Sequence, residues 1–179
     1  MTKEIKLLLR STLAVLVAVV GCLALTTPQA VAINGPSAGV KLNAGANADT
    51  RAVAAADPQA AQAAAVECGT GYELRYAERL PTAENRLGTL FSYTKMTGSR
   101  WDACAIFDNN TGATKYMKLK ICPNTVGGAC AQDEGNFSQY AGPVHLTNAM
   151  CGDITAIMKN TSSSSTSLIN AIRGATACN

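Results

Sequence analysis

Six cysteines, Cys68, Cys104, Cys122, Cys130, Cys151 and Cys178, fall within the last two thirds of the chain. No other feature restricts the fold so strongly. An even set on a small exported chain reads as a disulfide framework of three bridges. A zinc site would need close C-x-x-C pairs with histidine, and neither occurs. The expected product is a small domain in which cross-links supplement a modest hydrophobic core.

Export is read from the other end of the chain. Lys3, Lys6 and Arg10 form a basic start, Ser11 to Leu25 is a nearly unbroken apolar run, and "TTPQAVA" places Ala30 and Ala32 in A-x-A spacing. That layout is a secretory signal peptide over residues 1–32, with cleavage expected after Ala32. The apolar run is shorter than the roughly 18–20 residues of a membrane span, so no transmembrane helix is expected. "VVGC", Val19 to Cys22, also fits the small-residue-then-cysteine pattern of bacterial lipoprotein signals, with Cys22 carrying the lipid. Against that alternative, "LAL" follows Cys22 and extends the apolar run where a lipoprotein tether turns polar.

From Ile33 onward twelve Lys and Arg face eleven Asp and Glu, so the net charge of +3 belongs mostly to the signal. A nucleic-acid binder needs a concentrated basic face, and none is indicated. The densest basic stretch, "KYMKLK" (Lys115 to Lys120), alternates like a solvated strand face. Residues 33–66 are rich in Ala, Gly and Asn and hold no aromatic residue. Such a segment is expected to bury too little apolar surface to offset its ordering entropy, and reads as a disordered linker or pro-segment. "DPQAAQAAAVE" has helix-start signals in Asp57 and Pro58, but so short a helix is marginal alone.

All nine aromatic residues lie beyond Cys68, which sets the folded domain at 67–179. Its texture is short β-like runs between turn signals. Strands are expected near Tyr72–Glu78, Arg86–Thr94, Trp101–Asp108, Lys115–Cys122, Asn136–Tyr140, Pro143–Thr147 and Asp153–Lys159. About seven short strands suggest a mostly β, disulfide-stapled sandwich or barrel. "SLINAIRGA" is expected to form a short terminal helix after the polar connector "TSSSSTS". Met117, Leu119 and Ile121 alternate with Tyr116, Lys118 and Lys120, which marks a half-buried strand. A hairpin brings Cys122 to Cys130. An up-down-up order favours Cys68–Cys104, and a returning tail favours Cys151–Cys178. The alternative pairs Cys68 with Cys178 and Cys104 with Cys151.

Chemistry is sparse. His145, the only histidine, has Asp102, Asp108, Asp133 and Asp153 as candidate orienters, but no G-x-S-x-G elbow or S-x-x-K box occurs. Between Val144 and Leu146 it reads as an outward-facing strand residue. Asp133 and Glu134 are adjacent, so on a strand they point to opposite faces and are poorly placed to share a glycosidic bond. No metal or cofactor site is indicated, and no enzymatic activity is expected. Tyr76, Tyr93, Trp101, Tyr116 and Tyr140 form a candidate ligand face for sugar rings, as in carbohydrate-binding modules. "CPNTVGGAC" is a candidate pre-organised protease-inhibitor loop.

Several stretches resemble the spore-associated protein A family of small secreted actinobacterial proteins. "NFSQYAGPVHL" is similar to its T-x-Y-A-G-P-V-Y-V run, "ECGTGYEL" to its C-G-S-G-Y start, and "LGTLFSYTKMTGSRWDACAIF" to its central hairpin. The resemblance implies a β-rich, disulfide-bonded extracellular protein of the spore or hyphal surface. Its partners would be cell-wall polysaccharide or other spore-surface proteins, and it implies no established enzymatic activity. The family tends to carry tyrosine where this chain has His145, which favours a structural role for that imidazole. Cys122 and Cys130 look like additions, and "GDITAIM" replaces the family's tryptophan-glycine run. The chain therefore resembles a divergent member.

Overall fold

The structure is a computed structural model that describes residues 39–178. The expected signal segment, with Cys22 and Ala32, lies outside them. In chain order the elements are α1 (Ala48–Ala56), α2 (Pro58–Cys68), β1 (Glu73–Pro81), β2 (Arg86–Thr97), β3 (Arg100–Asn109), β4 (Lys115–Cys122), β5 (Ala131–Phe137), β6 (Tyr140–Leu146), β7 (Asp153–Lys159) and β8 (Ile169–Arg173). Two four-stranded antiparallel sheets form, in the orders β1-β2-β3-β6 and β5-β4-β7-β8. The mostly β, disulfide-stapled architecture therefore stands, as a sandwich of eight strands.

Three layers result. Leu80, Leu90, Ala103, Ala105 and Phe107 of the first sheet pack against Met117, Leu119, Ile121, Ile154, Ala156 and Met158 of the second. The opposite face of the first sheet carries Leu74, Ala77, Phe91, Tyr93 and Ile106, and these pack under Ala54, Ala61 and Ala64 of the two helices. β2 and β3 are thus buried on both faces, which is why they read as nearly continuous apolar runs. β4 is buried on one face only and alternates.

The helical layer corrects the expectation of a disordered segment over 33–66, for the part described. The alanines cannot make a core by themselves, but they need not. Alanine is the strongest helix former, and its small side chain lets each helix lie close to a sheet face whose own Phe91, Tyr93 and Leu74 supply the bulk. Specific contacts then fix the layer. Asn47 accepts a hydrogen bond from the Thr50 N–H at 2.8 Å to start α1, and Pro58 occupies the first turn of α2. The Tyr93 hydroxyl donates to the Ala61 carbonyl at 2.6 Å, and the Ala77 N–H donates to the Thr50 hydroxyl at 3.1 Å. Asp57, between the helices, receives Arg79 at 2.9 Å and Arg86 at 2.7 Å. Burial opposes ionisation of that carboxyl, but the two guanidiniums outweigh it and hold it below its usual range.

Two further expectations change. Ile169–Arg173 is strand β8, paired antiparallel with β7, and not a terminal helix. Ile169 and Ala171 are buried while Asn170 and Ile172 are exposed, a period of two that the free edge of β7 rewards. The single strand expected at Asn136–Tyr140 is a corner. β5 ends at Phe137 and pairs with β4, whereas β6 begins at Tyr140 and pairs with β3.

Bridges join Cys68 to Cys104, Cys122 to Cys130 and Cys151 to Cys178. The first ties the end of α2 to β3, the second closes the β4–β5 connection, and the third fastens the C-terminal tail beside the start of β7. Between the sheets, Arg173 of β8 makes a bidentate pair with Glu78 of β1 at 2.7 and 2.9 Å. Among the described residues, no helix is long and apolar enough to cross a membrane.

Candidate functional site

Among the described residues, the three-layer arrangement leaves one broad sheet face uncovered, the outer face of β5-β4-β7-β8. Its side chains follow from register. Tyr116 lies between Asn136 and Lys159, Lys118 between Glu134 and Ile157, and Lys120 between Gln132 and Thr155. Asn170 and Ile172 extend the rows onto β8. On β4, β7 and β8 these alternate with buried residues of the sandwich core, and on β5 with half-buried ones, so the packing that orders β4 also fixes where the outward side chains stand.

The face is cationic. Lys118 pairs with Glu134 at 2.8 Å, and the Tyr116 hydroxyl donates to the other oxygen of the same carboxylate. The Lys118 and Tyr116 contacts hold the Glu134 carboxyl below its usual value, and the same carboxylate raises the Tyr116 phenol. The Lys159 ammonium lies 6.0 Å from the centre of the Tyr116 ring. Lys120 and Lys159 have no carboxylate partner among the described residues. The exposed Ile172 and half-buried Ile157 add apolar surface beside these charges.

The five aromatics expected on a common ligand face are dispersed. Tyr93 is wholly buried under α2, and Tyr76 lies between the sheets, donating to Glu78 at 2.6 Å. Trp101 stands opposite Met96 at the β2–β3 hairpin. Tyr140 packs against the helical layer. Only Tyr116 belongs to the open face. The five do not meet, because Tyr93 is drawn into one core, Tyr76 and Tyr140 pack at the margins of the two cores and Trp101 stands on the hairpin; strand parity alone did not reveal that the first sheet has a core on each side.

His145 faces outward on β6, opposite Cys104. Its ring meets Tyr72 edge-on, with centroids 5.6 Å apart, and Nδ1 lies 3.4 Å from the Tyr72 hydroxyl. Partial burial, then the nearby Lys95, lowers its pKa from the ordinary value. The carboxylates considered as orienters are engaged elsewhere or out of reach. Asp102 accepts from the Thr97 hydroxyl at 2.8 Å and the Asn148 N–H at 3.1 Å. Asp133 accepts from the Gly142 N–H at 2.8 Å. Among the described residues, Tyr72 is the one side chain hydrogen-bonded to the imidazole.

The "YAGPVHL" stretch is strand β6 itself, with a register shift where it pairs with β3. Gly142 adopts φ 107°, and a Cβ there would lie 2.7 Å from the Ala105 carbonyl oxygen. Only glycine lets β6 approach β3 so closely. Among the described residues no group of three His, Cys, Asp or Glu side chains is placed to hold a metal ion. A concavity of about 640 Å³ between α1 and β1 has Asp49, Glu78, Arg79 and Thr82 as its polar lining, of which Glu78 and Arg79 are already paired within the fold.

Fold and bridges define a small disulfide-bonded β-sandwich capped by two helices. Comparison with known proteins finds a distant similarity to one curated protein. Over 81 residues the chain is 31% identical to spore-associated protein A of Streptomyces coelicolor, a match covering 45% of this chain and 48% of that protein. The chain thus spans about half the length of the curated relative it matches, and the relationship is distant. No family model matches the chain, and no solved structure does.

Proposed function

We propose that this chain is an extracellular, non-catalytic protein of the cell or spore surface, attached through the open face of its second sheet. The observation that carries the reading is that face itself: a sheet left uncovered on one side, with Tyr116, Lys118, Lys120 and Lys159 held in fixed register by the core beneath. Three bridges suit an oxidising exterior, and the distant relative is named for its association with spores. A non-catalytic role is supported by an imidazole whose hydrogen-bond partner among the described residues is the Tyr72 phenol rather than a carboxylate.

The test is sedimentation of the purified chain with washed cell envelopes and spores. Wild type is expected in the pellet, and Lys120→Gln/Lys159→Gln in the supernatant. Equal pelleting of both would remove the sheet face from the reading, and wild type left in solution would remove surface attachment.

A second reading rests on the loop closed by Cys122–Cys130, where Val126 is fully exposed at the tip. A pre-organised loop presenting one apolar side chain suits a protease inhibitor. That reading expects stoichiometric inhibition of a serine protease, lost in Val126→Asp.

A further inference from the structure

The open sheet face has a chemistry specific enough to name the class of its ligand, and the inference rests on the surface-attachment reading above. Four cations, Lys115, Lys118, Lys120 and Lys159, stand on or at the end of β4 and β7. Against them the face has Glu134, which already binds Lys118 and Tyr116, and Asp153 at the far end, opposite Cys122. Lys115, of the opposite strand parity, bonds the neutral Asn160 side chain at 2.9 Å at the end of the sheet. The face keeps a positive balance, and Lys120 and Lys159 are its lysines without a carboxylate partner among the described residues. Lys159 is the cross-strand neighbour of Tyr116, four residues from Lys120 along β4, which sets the two positions about 14 Å apart by strand geometry.

That spacing matters because the face is flat. A small anion placed between two such distant ammonium groups would have no walls around it and would be only weakly held in water. An extended chain with repeated charges can satisfy both at once, by the advantage of linked sites. Between them, the Tyr116 ring and the Ile157 side chain supply flat apolar area, which the C–H faces of sugar rings match.

We infer that the outer face of β4 and β7 binds a linear anionic glycopolymer, with its carboxylate or phosphodiester charges on Lys120 and Lys159 and a sugar ring against Tyr116. The binding is electrostatic in range and set in register by the sheet, so it weakens as salt shortens the screening length.

Three soluble probes test this with the purified full chain: polygalacturonate, a phosphodiester-linked poly(N-acetylglucosamine phosphate) and neutral dextran, followed by affinity electrophoresis at low and high salt. Retention by at least one polyanion but not by dextran is expected, weakening about tenfold or more at high salt. Lys120→Gln/Lys159→Gln is expected to weaken retention about tenfold, and Tyr116→Ala to weaken it at constant charge. Lys95→Gln/Arg100→Gln removes the same charge from the β2–β3 hairpin and is expected to change little. These substitutions are at exposed or half-exposed positions, and an unchanged near-ultraviolet circular dichroism spectrum verifies the fold of each. Selective retention by one polyanion identifies the charge as carboxylate or phosphodiester. Equal weakening by the hairpin variant would reduce the effect to bulk charge and overturn the proposal. Envelope binding without retention by either polyanion would overturn this inference while leaving surface attachment intact.

Discussion

The two sheets of this domain have four strands each and share one core, yet their outer faces were settled in opposite ways. The β1-β2-β3-β6 sheet is covered twice, by the second sheet on one side and by alanine helices on the other. The β5-β4-β7-β8 sheet is covered once and presents lysines, a tyrosine and isoleucines to solvent. Stability and recognition are thereby separated. The first sheet carries Phe91, Tyr93 and Ile106 in a second core, while the second keeps a face whose residues can change without disturbing the packing below. A domain that attaches to a surface gains from that division, because its contact residues stand on a rigid element rather than on a loop.

The contrast is most directly broken by paired truncations. Phe91→Ala removes a fully buried ring from beneath the helices and is expected to cost about 3–5 kcal/mol in urea denaturation. Ile172→Ala, on the open face and 62% exposed, is expected to change stability by no more than about 0.5 kcal/mol. Similar losses at the two sites would mean that something covers the second sheet or that the helices do not seal the first.

pH provides the next lever. Asp108, on the helix side of β3, helps line a small cavity with Ala60, Ala64, Glu67 and Tyr140. Burial pushes its carboxyl up to about 6, with Arg86 working against the shift and Asp57 with it. A carboxyl raised in the folded state binds its proton more tightly there than in the unfolded chain. Its contribution is therefore fully present below the ordinary carboxyl range and is lost as pH rises through about 6. Asp108→Asn is expected to be more stable than wild type near pH 7.5 by up to about 3 kcal/mol, with the difference closing by about pH 4. A constant difference across that range would show that the carboxylate is better solvated than its position implies.

The smallest effect concerns the seam between helix and sheet. Tyr93→Phe deletes the hydroxyl that donates to the Ala61 carbonyl while keeping the ring. The expected loss is about 1 kcal/mol, with faster amide exchange over α2. Unchanged exchange in α2 would mean that apolar contact and the Cys68–Cys104 bridge hold that helix without the hydrogen bond.

Much of this architecture was legible from local pattern. The alternation at Met117, Leu119 and Ile121 located β4 and its outward lysines, because strand parity is a property of the backbone. The bridge between Cys122 and Cys130 followed from a short connection. Even the helical start at Asp57–Pro58 was visible, since capping preference is local. The error lay in its fate. Ala61 and Ala64 looked too small to be a core, and Tyr93 looked like part of a ligand face. The largely apolar character of "LFSY" and the unbroken run "ACAIF" were the available sign that a strand needed cover on both sides. Which segment would supply it could not be read from either segment alone.

The sequence by itself determined the strand periodicity, the turns, the covalent framework and the placement of charge along β4, because each depends on neighbours a few residues apart. Tertiary structure decided that alanine helices would cap one sheet while the other stayed open, that Ile169–Arg173 would be a strand, and that Lys120 and Lys159 would share a face. Those outcomes depend on which distant surface is left unpaired when the core closes, and burial free energy is a property of two surfaces meeting rather than of either one.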